Sequence, residues 1–250
     1  MRIFSALSGL LLAGAAFAQN SSSSCSPKSG DVQVVQFGWA LQYLAERYYS
    51  AQPLNQTFLN SVTNSSRANY YNNFQGIQRQ NRLGVRAVQQ LGSQVSGFSA
   101  PRCNYTFPSA SDGETWVKNA LKLEQSITGA LIGLSGYTQS PEVSFLLARL
   151  SAEHNGHAYY IASQQQGTVF PTNSSSLVPA YTPDWVLQNG TQPGKLGTYL
   201  KNCVSPPSSP CGEKLKIGPL IGTFGSNSTN STSNSSASAS PSAGLFAKMF

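Results

Sequence analysis

Only two histidines occur in this 250-residue chain, and they stand three apart, at His154 and His157. On a helix that spacing projects both rings from one face. Leu147, Leu150 and Ile161 fall on the same face, so it should point into a core. Acidic residues are nearly as scarce, nine in all. Glu124 sits inside an apolar stripe of Val117, Ala120, Leu121, Ile127, Thr128 and Leu131. Gln42 and Glu46 lie four apart beside the stripe Val34, Phe37, Leu41, Leu44 and Tyr48. Glu153 adjoins His154 but is rotated by about 100° around the helix.

Two imidazoles and a carboxylate brought together from neighbouring helices form a donor set for one iron, manganese or zinc ion. The candidate ligands are Glu124, His154 and His157, with Glu46 as a possible fourth. The same three groups could instead close a metal-free hydrogen-bonded network, because buried polar groups require partners of some kind. Spacing alone leaves both readings open. Other chemistry lacks its signature. The chain has no Gly-x-Ser-x-Gly or Gly-x-Gly-x-x-Gly motif, and two core-facing histidines offer no Ser/His/Asp set. A glycosidase pair of carboxylates would need an open cleft that a helical bundle does not supply. The tyrosine pairs 48–49, 70–71 and 159–160 suit a core or the rim of a groove.

Four helices must position these groups. The first is expected from Asp31 to Ser50, with Asp31 as its cap and Pro53 beyond its end. The second is expected from Arg67 to Leu91, its stripe running Phe74, Ile77, Asn81, Gly84, Val88 and Leu91, with Gly92 as a stop. The third is expected from Asp112 to Leu134. The fourth opens on Ser140-Pro141-Glu142, an N-cap serine, a proline at the first helical position and a first-turn acid, and runs to Gln166. Four amphipathic helices of roughly 20 residues make an all-α fold, a four-helix bundle over residues 31–166. The stretch 93–111 is long enough to be a crossover. Residues 167–222 are rich in proline and are expected to wrap irregularly on the bundle. Residues 223–250 form a tail, and its Ser/Asn/Thr/Ala-rich part is expected to be disordered.

The ends suggest export. Arg2, the apolar run 3–12 and Ala16-Phe17-Ala18 make a signal peptide of residues 1–18, leaving an N-terminal arm over 19–30. No stretch reaches the roughly 18 apolar residues of a membrane span. The apolar end 243–250 is shorter than the about 10–20 residues of a glycolipid-anchor signal. Sequons begin at Asn20, Asn55, Asn64, Asn104, Asn173, Asn189, Asn227, Asn230 and Asn234, which predicts a secreted glycoprotein with these segments at the surface. Cys25, Cys103, Cys203 and Cys211 suit two disulfides. The short separation favours Cys203–Cys211, leaving Cys25–Cys103. The 16 basic residues give a net charge of +7 but are scattered, so no nucleic-acid surface is expected. Weak attraction to acidic cell-wall or membrane components is compatible with that charge.

Several segments resemble the ferritin-like domain family of secreted fungal proteins, of the late sexual development, stress-response or desiccation-related type. They are Asp31-Val32, Phe37, Ala40-Leu41-Gln42-Tyr43-Leu44, Tyr48-Tyr49, Gln90-Leu91-Gly92, Leu123-Glu124 and Ala152-Glu153-His154-Asn155-Gly156-His157-Ala158-Tyr159-Tyr160. The resemblance implies a ferritin-like bundle. It also implies an ancestral di-iron pattern in which helices one and three each supply a Glu and helices two and four each supply Glu-x-x-His. Carried onto this chain, those positions fall on Gln42, on Gln80 and Leu83, on Glu124, and on His154 and His157, with Glu46 one turn from Gln42 as a substitute. The pattern is degenerate. The expectation is a secreted, non-catalytic protein of the extracellular space or cell wall, with a role in development, stress or contact with cell-wall or host surfaces. The alternative is an extracellular mononuclear metal-binding protein or oxidoreductase using Glu124, His154 and His157.

Overall fold

The computed structural model describes residues 27–51, 54–174, 177–210, 212 and 215. The signal peptide, most of the N-terminal arm, the tail, Cys25, Cys211, Asn20, Asn227, Asn230 and Asn234 lie outside the described residues. Within them the secondary structure is helical throughout. Four long helices, α1 (Val32–Ala51), α4 (Tyr70–Gly92), α5 (Gly113–Ser135) and α6 (Pro141–Gln165), form the bundle. Two short helices, α2 (Gln56–Asn60) and α3 (Ser65–Ala68), precede α4, and α7 (Pro183–Val186) and α8 (Gly197–Leu200) interrupt the later wrap. None of the described helices is long and apolar enough to cross a membrane.

The boundaries have local causes. Asp112 accepts from Thr115 N at 2.7 Å and Ser140 accepts from Val143 N at 3.4 Å, each satisfying an N–H that the first helical turn leaves open. Asp31 does not cap α1 in the expected way. It closes a single 3₁₀ turn, Ser29–Asp31, accepts from Lys28 N at 2.9 Å, and receives the Thr138 hydroxyl from the α5–α6 turn. The start of α1 is thereby tied to the opposite hairpin. The second long helix begins at Tyr70 rather than Arg67, because Asn69 takes the left-handed conformation (φ 48°) and breaks the chain between α3 and α4. The Asn73 amide then donates to the carbonyls of Ala68 and Asn69 at 3.0 and 3.1 Å. Gly92 is not a left-handed stop. It remains in α4, and its lack of a side chain lets the Phe98 ring pack where a Cβ would lie 2.4 Å from a ring carbon.

α5 pairs most extensively with α6 and α1 with α4; α1 also borders α5 and α4 borders α6. The residues from Ser93 to Asp112 therefore cross the bundle diagonally, as the length of that segment predicts. One continuous core fills the interior, including Phe37, Leu41, Tyr49, Phe74, Trp116, Ile127 and Ile161. Tyr48, Tyr49, Phe74 and Trp116 interlock there, with Tyr48 stacked on Trp116 at 5.3 Å and Phe74 edge-on to it at 5.0 Å.

The C-terminal wrap lies against both the bundle and the crossover. Tyr181 is buried and donates its N–H to Gly129 O at 2.9 Å, and Gly194 N donates to Ser126 Oγ at 3.2 Å. Thr106 Oγ1 donates to Thr198 O at 2.9 Å. Here the structure corrects the expected disulfide pairing: Cys103 is bonded to Cys203, with Cα atoms 5.1 Å apart. Neither Cys203–Cys211 nor Cys25–Cys103 can then form. Proximity along the chain is a poor guide where two separate segments cross, and the crossover and the wrap cross at these cysteines. The bond closes a loop of 100 residues. A double Cys103→Ser/Cys203→Ser variant is expected to lose about 3–5 kcal/mol of stability, the loop-closure contribution of a loop this long. Urea denaturation checks this, and an unchanged midpoint would mean that the wrap holds without its staple.

Candidate metal centre

Three donors converge at the middle of the bundle. Glu124 enters from α5, and His154 and His157 from α6, each on a buried stripe of its helix. Glu124 and His154 are fully buried and His157 is 6% exposed. His154 Nδ1 lies 2.5 Å from Glu124 Oε2 and His157 Nδ1 lies 3.5 Å from Glu124 Oε1. One ligand atom from each residue falls within 4.8 Å of the others.

The outward nitrogens are held by amides. His154 Nε2 meets Gln42 Oε1 at 3.0 Å, and His157 Nε2 meets Gln80 Oε1 at 2.7 Å. Gln42 has no freedom to turn its amide round, because its nitrogen already donates to Asn81 Oδ1 at 3.0 Å and to Asn81 O at 3.3 Å. Its oxygen must therefore accept, and His154 Nε2 must carry a hydrogen. Tyr49 completes the shell by donating its hydroxyl to Glu124 Oε1 at 2.7 Å. Both rings thus turn Nε2 outward and Nδ1 inward. Two Nδ1 atoms and two carboxylate oxygens face one another, which is repulsive unless a cation, either a proton or a metal ion, lies among them.

Electrostatics agree with that geometry. Burial alone would raise the Glu124 carboxyl, but the adjacent His154 and His157 outweigh it and hold the group far below the usual carboxylate range. Burial pulls the His157 ring down, and the Glu124 charge more than restores it, leaving it above its ordinary value. The Tyr49 phenol is pushed well up, first by burial and then by Glu124, so it stays a hydrogen-bond donor.

Glu46 is not brought to this centre. Its side chain accepts from Ser50 Oγ at 2.7 Å and pairs with Arg82 at 3.5 Å, on the seam between α1 and α4. One turn along α1 from Gln42 is enough to carry it out of the core. On the second helix Gln80 does reach the centre, at 2.7 Å from His157 Nε2, but its expected companion does not. Leu83 is 53% exposed, whereas Asn81 and Gly84 are buried and face Gln42. Residue types at these positions make one half of the centre unsuitable for an ion. A Cβ on Gly84 would sit 2.6 Å from the Gln42 amide, which occupies that space, and neither α1 nor α4 contributes a carboxylate there. Asn81 and Tyr49 join the centre in addition to the residues expected from the sequence. Asn81 carried a readable signal, a polar residue on an apolar stripe; Tyr49 did not stand out from its neighbour Tyr48.

A family model described as a ferritin-like domain matches residues 30–167, just over half of the chain. No curated protein matches the chain.

The charge pattern sets a pH optimum for the metal-free fold. The depressed Glu124 contributes stability that is present above its unfolded value of 4.5 and is lost as pH falls below it. The raised His157 contributes stability that is full below 6.5 and is lost as pH rises through its folded value. Thermal unfolding of metal-free protein across pH should therefore peak between these two limits. Glu124→Gln should flatten both flanks. A melting temperature that climbs steadily past neutrality would contradict the ion pair.

Proposed function

Since the chain belongs to the ferritin-like domain family, we propose that its bundle holds a single divalent metal ion at Glu124, His154 and His157 in a secreted, non-catalytic protein. The observation that carries this reading is the orientation of both rings. Each fixes Nε2 on an amide oxygen and leaves Nδ1 toward Glu124. Outer partners of this kind orient the histidine ligands of metal sites. The donors are two imidazoles and one carboxylate, a set that suits zinc, iron(II) or manganese. Zinc would supply an added cross-link between α5 and α6, and iron or manganese a redox-capable ion. The chain's own residues do little beyond binding. Tyr49 and Gln42 orient ligands, the core excludes water, and Gln42 fills the space a second ion would need. Two-metal oxidation chemistry therefore has no place in this centre.

Secretion is supported by the leader-like first eighteen residues, by the sequons, and by a disulfide suited to an oxidising compartment. All five sequon asparagines within the described residues (Asn55, Asn64, Asn104, Asn173 and Asn189) are exposed. Asn55 caps α2 through Oδ1, accepting from Phe58 N at 2.6 Å, and so keeps its amide nitrogen available for a glycan. An extracellular or cell-wall setting, with a role in development, stress or contact with host surfaces, follows from the resemblance to secreted fungal members.

A second reading has its own observation. The 2.5 Å contact between His154 and Glu124 is what a shared proton gives, and the bundle would then be a scaffold without metal. Metal analysis separates the two. The full chain, made through a eukaryotic secretory pathway without chelators or a histidine tag, is expected to carry about one ion, and His154→Ala/His157→Ala none. Added metal should also raise the stability of stripped protein by about 4 kcal/mol at a thousandfold excess over Kd. Protein that stays metal-free and unstabilised in excess zinc, iron(II) and manganese would establish the scaffold instead.

A further inference from the structure

His157 borders a cavity. A groove of about 520 Å³ opens between α4 and α6, with Asn72, Asn73, Ile77 and Tyr160 on its walls and Gln80 and His157 at its inner end. The other sides of the centre are closed. Gln42 and Asn81 cover His154, and Tyr49, packed on Phe74 and Trp116, covers Glu124. The cavity between α5 and α6, bounded by Thr128, Leu131, Leu147 and Ser151, touches none of the three. Gln80 is exposed, yet its oxygen rests on His157 Nε2 at 2.7 Å. A long, solvated side chain can leave that position by a rotamer change, which the buried Gln42 on the other ring cannot. Gly76 and Gly156 line the groove, and a Cβ on either would meet nothing within 4 Å.

We propose that the groove between α4 and α6 is the route by which a divalent cation reaches the centre, and that Gln80 is its movable cap. This rests on the single-ion reading above. When Gln80 swings out, the edge of His157 faces the groove and the ring becomes free to turn. The lining offers amide groups that can replace part of a hydration shell and has no carboxylate that would trap a cation on the way. Arg79 at the rim opposes entry of a cation, most strongly at low ionic strength.

Cobalt(II) uptake by the metal-free full chain, followed by stopped-flow absorbance, and its release to a chelator test the route. A Cβ at Gly156 has open space around it, so Gly156→Leu adds apolar bulk to the wall of the groove without replacing a ligand. It is expected to slow uptake and release together by about tenfold, within the range over which association rates vary among related variants, and to leave the equilibrium affinity unchanged. Gly76→Leu should act alike from the opposite wall, and Gln80→Ala should speed uptake. Circular dichroism confirms that each variant is folded. If the wild type binds one cobalt and both plugged variants load at its rate, the route is wrong while the single-ion reading stands. If the wild type takes up no cobalt even over days, the single-ion reading fails and the route falls with it.

Discussion

A fully buried carboxylate constrains everything around it. Glu124 has no exposed surface, and a lone charge in such a place would cost far more than the fold could spare. Two imidazoles and a phenol surround it, and each of those groups needs a partner of its own. Gln42 answers for His154 and Asn81 for Gln42, so the requirement passes from α5 to α6, then to α1 and α4. All four long helices are recruited by one charge. The network thus links side chains of all four long helices through direct contacts.

The apolar surroundings then determine what the centre can do. Tyr49 serves both layers: its ring packs with Phe74 and Trp116 while its hydroxyl reaches Glu124. Water is excluded from the carboxylate side, which strengthens each electrostatic contact. The α1–α4 half of the centre has become neutral and close-packed, with Gln42 lodged over Gly84. The α5–α6 half keeps the charged donors. This asymmetry leaves no space for a second ion beside Gln42, and His157 borders the groove between α4 and α6.

The bundle also depends on a fastening outside it. A diagonal crossover is an entropically costly connection, and here it carries Cys103, which is bonded to Cys203 of the wrap. The wrap in turn lays Tyr181 on α5. The two hairpins are thus held by the buried polar network at their centre and by covalent closure at their edge.

Much of this is legible in the amino-acid sequence. Ser140-Pro141-Glu142 marks the start of α6 because capping chemistry is local, and the three- and four-residue recurrence of apolar positions marks all four long helices. Glu124, His154 and His157 could be picked out because charged and polar groups on apolar stripes must meet partners. Other features were decided only by the tertiary structure. Gln42 and Glu46 share a face of α1, and which of them meets His154 depends on the height at which α6 lies beside it; one turn along, Glu46 pairs with Arg82 instead. That Gly84 rather than Leu83 faces Gln42 depends on the rotation of α4, since neighbours on a helix differ by about 100° in direction. The pairing of Cys103 with Cys203 depends on where two distant segments cross, and short spacing pointed elsewhere. The sequence by itself determined the four long helices and which buried groups need partners, because those follow from local geometry and from the cost of burying charge. Only the tertiary structure decided which partners they receive, because that depends on how the helices rotate and on where distant segments of the chain cross.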